Sequence, residues 1–138
     1  MWTCPHCNKS FAKRNQWHMC VNLPPEVAFE GKAPHLWTVF QSLLDALASV
    51  GSFEVTASAK AISLYASNHK TFLVIQPKKN WMDVLFWRNT EESEFPVFKV
   101  VQRSKSSWAH HVRLHDADDL EAQLVRWIGE CHALVMEG

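Results

Sequence analysis

A chain of 138 residues is the size of one ordinary domain, and its 14 Lys and Arg balance its 14 Asp and Glu. That balance excludes a global field that would recruit nucleic acid, acidic lipid or another highly charged partner, so any such affinity must rest on local charge. Seven Trp and eight Phe against four Gly mark a packed globular chain rather than a low-complexity one, and no apolar run approaches the roughly 18 residues a membrane helix needs.

The first twenty residues hold three of the four cysteines. The start of the chain, with Trp2 and Cys4, lacks the apolar stretch of a signal peptide, so a reducing cytosol is expected. Thiols crowded this way in a cytosolic protein point to metal ligation rather than disulfides. Cys4-Pro5-His6-Cys7 is a C-P-x-C turn that aims two thiolates at one metal, and His18 and Cys20 complete a three-sulfur, one-nitrogen set. Such a set suits a closed, structural, tetrahedral Zn²⁺ with no coordination position left for catalysis. His6 competes with His18 for the fourth place. The H-x-C spacing is short, so Met19 is expected in a turn. Lys9, Lys13 and Arg14 offset the negative charge of three thiolates around one Zn²⁺, and are also placed to contact phosphate. The knuckle is expected over residues 1–22.

Residues 23–35 carry Pro24, Pro25, Gly31 and Pro34 and are expected to form a linker. The main domain is then residues 36–138. Leu36, Phe40, Leu43, Leu44 and Leu47 recur at helical spacing, with Gly51 as the stop. The period changes to two at Phe53, Val55 and Ala57 and again at Ile62 and Leu64. Further strands are predicted over Thr71–Gln76, Trp81–Trp87, Val97–Val101 and Trp108–Leu114, with Glu91–Glu94 as a solvated loop. A last helix is predicted to start at an N-cap Asp116, burying Leu120, Leu124, Trp127, Ile128, Cys131 and Val135. Tight turns between successive strands make the pairing mostly antiparallel. The fold class is α+β: a sheet of about six strands flanked by two helices, plus the N-terminal zinc knuckle.

At Trp2-Thr3-Cys4-Pro5, Asn15-Gln16-x-His18-x-Cys20, Lys70-Thr71-Phe72 and His110-His111-Val112-Arg113-Leu114 the chain resembles the bacterial DUF5655 domain family, here with an N-terminal zinc knuckle. The resemblance implies a compact α+β domain and a cytosolic bacterial protein, and it brings no activity with it.

Lys60 to Lys79 contains four Lys and no acid, and Lys99 to Arg113 adds two Lys and two Arg, again without an acid. A basic face built from Lys78, Lys79, Arg103, Lys105, His111 and Arg113 would receive an anionic partner, a nucleic acid first among them. The plain alternative is that these lysines keep turns and strand edges soluble. On a strand, His110 shares a face with Trp108, Val112 and Leu114, as a core histidine would, while His111 faces the other way with Arg113. A second reading is a small enzyme or ligand-binding domain with a pocket near His110, His111, Lys60 and Tyr65, with Asp83 or Glu54 orienting a histidine. A third is an interaction module whose knuckle docks another protein or a second copy. No G-x-S-x-G, phosphate-binding glycine loop or dinucleotide motif is present, and Cys131 lies on the apolar stripe of the last helix as a core residue.

Overall fold

A computed structural model describes residues 1–5, 10–15, 23–91 and 94–137. The chain opens with a small antiparallel hairpin, β1 (Trp2–Thr3) and β2 (Ser10–Phe11), followed by a 3-10 helix at Pro25–Phe29 and helix α1 (His35–Leu47). Six strands follow: β3 (Phe53–Ala57), β4 (Ile62–Ala66), β5 (Thr71–Pro77), β6 (Met82–Arg88), β7 (Val97–Ser104) and β8 (Ser107–Leu114). A 3-10 turn at Ala117–Asp119 leads into helix α2 (Ala122–Glu137).

The six strands form one antiparallel sheet in the order β3-β4-β5-β6-β8-β7. β8 thus inserts between β6 and β7. The composition of the two strands accounts for this order. β8 presents His110, Val112 and Leu114 to the core, all buried, whereas β7 is exposed along most of its length and carries Lys99, Gln102 and Arg103. The apolar strand takes the interior place and the charged one the edge, where unpaired backbone can be solvated.

Both helices lie on one face of the sheet. Leu36, Val39, Phe40, Leu43 and Leu47 of α1 and Leu124, Trp127, Ile128 and Cys131 of α2 pack with Ile62, Leu64, Ile75, Val84, Phe86, Val112 and Leu114 in a single core. Each fully buried Leu or Ile contributes about 1.5–3 kcal/mol, and this cluster dominates the stability of the domain. A register shift between β4 and β5 turns Phe72 toward α2, where its ring meets Phe53 at 6.0 Å and His132 at 4.9 Å.

Two local expectations are corrected. Asp116 does not cap the last helix. Its carboxylate accepts from Asp118 N–H at 2.9 Å while Asp119 accepts from Asp116 N–H at 3.3 Å, a capping box that closes the short Ala117–Asp119 turn. Leu120 then leaves helical geometry (φ −81°, ψ 69°), and α2 starts only at Ala122. Residues 23–35, expected as a linker, are stitched to the domain. Leu23 N–H donates to Ala57 O and Ala33 N–H to Lys79 O, each at 2.8 Å. Phe29 packs its ring 5.3 Å from both Trp37 and Phe40, and Ala28 is buried. Prolines here set a 3-10 turn rather than a free tether, because Pro25 fills an initial helical position that needs no N–H donor.

Candidate anion-binding face

The side of the sheet away from the helices carries the chemistry. Strand register places paired side chains on the same side, so Asp83 with Arg113, Leu85 with His111 and Trp87 with Ala109 form rows across β6 and β8. β7 extends them with Lys99 beside His111 and Val101 beside Ala109. Val97 and Lys99 flank a register shift that turns Phe98 onto this same side, where its ring lies 6.0 Å from His111. Phe98 and Val101 are 45% and 43% exposed, so nothing among the described residues covers this part of the sheet.

Two guanidiniums lie over aromatic rings there. Arg113 sits 4.4 Å from the Phe98 centroid and 5.1 Å from that of Trp81, and its Nε donates to Asp83 Oδ1 at 3.2 Å. Arg103, at the register shift between Gln102 and Ser104, lies 4.2 Å from the Trp87 centroid. Stacking holds a guanidinium plane in place while leaving its edges free to donate, which is the arrangement that recognises phosphate or a planar base. His111, partly buried between the two stacks, has its pKa lowered chiefly by desolvation and then by Lys99, with Asp83 opposing. It is therefore neutral at pH 7 and able both to donate and to accept a hydrogen bond.

The residues predicted from sequence distribute unevenly around this face. Arg103, His111 and Arg113 meet on it. Lys78 and Lys79 occupy the β5–β6 turn and Lys60 the β3–β4 turn, at the end of the sheet where β8 finishes. Lys105 sits in the β7–β8 hairpin at the opposite end, roughly 25 Å away for strands of this length. The single patch expected from sequence is thus a face bounded by two lysine-bearing ends.

His110 is fully buried on the helix side, stacked on Phe86 at 5.7 Å, with its Nδ1 in a hydrogen bond with Trp108 O at 2.9 Å. It therefore points away from His111. Tyr65 is buried under the N-terminal hairpin, edge-on to Phe11 at 6.4 Å. Lys60, on the β3–β4 turn, stands at least three strand spacings from β8, roughly 15 Å. Glu54 is exposed on β3, and Asp83 pairs with Arg113. The structure does not bring His110, His111, Lys60 and Tyr65 around one pocket. A cleft of about 240 Å³ lies between Trp87 and α2 and another of about 200 Å³ beside Phe95, Phe98, Arg113 and His115; none of His110, His111, Lys60 and Tyr65 lines either.

Phe98 is a contributor that sequence reasoning missed, whereas Lys99 opens the basic stretch read from the sequence. Regular alternation puts Phe98 on the core side with Val100, and only the register shift at β7 reverses it.

Of the expected metal ligands, Cys4 is buried at the end of β1, and Cys7, His18 and Cys20 lie outside the described residues, as does His6. Among the described residues no three His, Cys, Asp or Glu side chains come together as a metal site. No helix among them is long and apolar enough to cross a membrane.

No curated protein and no solved structure matches the chain. The model of the family described as "Domain of unknown function (DUF5655)" matches residues 26–134, from the first 3-10 helix through most of α2. That span holds the whole six-stranded sheet and its candidate face but not the N-terminal hairpin, and within it the chain belongs to the DUF5655 family.

Proposed function

We propose that this is a zinc-stabilised cytosolic binding protein whose free sheet face receives an anionic partner, a nucleic acid. The observation that carries the reading is the pair of cation–aromatic stacks, Arg113 with Trp81 and Phe98 and Arg103 with Trp87, on an exposed sheet surface. Aromatic rings and guanidinium planes on a sheet give bases something to stack on, while the guanidinium edges, Lys99 and the turn lysines meet the backbone charge. Between Glu94 and Asp116 the chain contains no acidic residue, so the only carboxylate facing this surface from β6 and β8 is Asp83, already engaged by Arg113.

Zinc would be held by Cys4, Cys7, His18 and Cys20. The β1–β2 pairing supports this set, because Cys4 follows directly on β1 with its side chain buried. Twenty residues have too little apolar surface to order themselves, and metal binding of this kind supplies on the order of 10 kcal/mol. Phe11, buried against Tyr65 and His69, would then dock the metal-ordered hairpin on the sheet.

A salt titration of a fluorescent single-stranded oligonucleotide tests the binding claim. Affinity that falls linearly on a log–log plot supports it, with a slope near −2 for roughly three phosphates neutralised. Absence of binding even at low salt sinks it. Mass spectrometry of the purified protein tests the metal: one zinc per chain, lost on His18→Ala and kept on His6→Ala, is expected.

A further inference from the structure

The two edges of the sheet are finished differently. At β3 the chain closes its own edge, with Leu23 bridging to Ala57 and the 3-10 helix Pro25–Phe29 packed beside it. At β7 the outer side of an eight-residue strand has no neighbouring strand among the described residues, and Phe98 through Ser104 are exposed save for Val100. An edge of this length that also displays Phe98 and Val101 is a template for strand addition.

Charge decides what can be added. β7 and its hairpin carry Lys99, Arg103 and Lys105 with no acid. A second copy pairing antiparallel about Val101 would set Lys99 of one strand directly opposite Arg103 of the other, and like charges so placed are destabilising. The same geometry favours an alternating strand whose carboxylates share the face of those two positions and whose apolar residues lie on the other face, beside Val100. We infer that β7 accepts an extended acidic segment of another protein, one that alternates carboxylate and apolar side chains and pairs with its backbone as a seventh strand. The inference uses the backbone edge of β7; it shares Lys99 and Arg103 with the stacked face but does not depend on nucleic-acid binding.

The test uses the full chain and a ten-residue peptide alternating Glu and Val, with a Lys-Val peptide as its opposite. Fluorescence anisotropy is expected to show binding of the Glu-Val peptide, and amide hydrogen exchange to show slowed exchange on β7 with β3 unchanged. The double variant Lys99→Glu/Arg103→Glu is expected to lose Glu-Val binding by about tenfold or more and to gain the Lys-Val peptide by a comparable factor. That reciprocal gain separates the claim from simple unfolding. The inference is overturned by an absence of β7 protection, by equal affinity of the wild type for both peptides, or by protection that grows with protein concentration without peptide. Equal protection of the same amides by an oligonucleotide would also overturn it, assigning the edge to nucleic acid.

Discussion

Cys131 shows how one side chain can stand in for a piece of sheet. Where β5 and β6 diverge, its thiol donates to Phe72 O at 3.2 Å and its sulfur accepts from Trp87 N–H at 3.4 Å, so an α2 side chain completes the ladder between two strands. Burial pushes its pKa up to about 12 against the smaller opposing effects of the Trp87 N–H and Arg103. The unfolded chain releases this proton near pH 9 and the folded chain does not, so stability is full below pH 9 and falls as pH rises from there toward 12, by roughly 1.4 kcal/mol per unit. Urea titrations at pH 8 and pH 10 are expected to show this loss in wild type and not in Cys131→Ala. That variant should itself be less stable by about 1–3 kcal/mol at pH 8, since two backbone groups lose their partner. His111 gives the opposite sign. Its lowered pKa means the unfolded chain binds a proton first as pH falls, so its contribution is present above about 6.5 and is lost as the pH drops below that value. Proton NMR of the ring should show Lys99→Ala raising the His111 pKa and Asp83→Asn lowering it.

Among the elements, long periodic ones could be read directly and those shaped by a single turn or bulge could not. The stripe Leu36, Phe40, Leu43, Leu47 predicts α1, and alternation in Phe53–Ala57 and Ile62–Leu64 predicts β3 and β4, because burial of one face imposes the period. The insertion of β8 between β6 and β7 leaves no mark in local periodicity, and neither does the reversal of Phe98 by a register shift. Asp116 misled for a physical reason: its capping box is real but serves a three-residue turn. Of the site, Arg103, His111 and Arg113 were legible from charge and alternation, while their stacking partners depended on tertiary pairing. Phe11→Ala removes the buried ring that meets Tyr65 and His69, at a cost of about 3 kcal/mol if the cavity does not collapse. The proposed zinc is then expected to be lost to a chelator several-fold faster while far-UV circular dichroism of the six-stranded sheet is retained.

Across the whole molecule, neutrality conceals an uneven surface. Acids occupy the 3-10 turn at Ala117–Asp119 and the segment before β7, while the acid-free stretch from Phe95 to His115 supplies β7, β8 and the stacked arginines. Two helices and the core are used up on the other side of the sheet, which leaves β6, β8 and β7 to present a flat surface of rings and cations. The most direct test of that surface is a titration of isotopically labelled wild-type protein with an unlabelled single-stranded oligonucleotide, following the Trp indole and His111 ring signals by NMR. Nucleic-acid binding at this face predicts shifts at Trp81, Trp87 and His111 that saturate together and diminish in Arg103→Ala, with Trp37 of α1 unmoved. Shifts confined to the helices, or none at low salt, would contradict it.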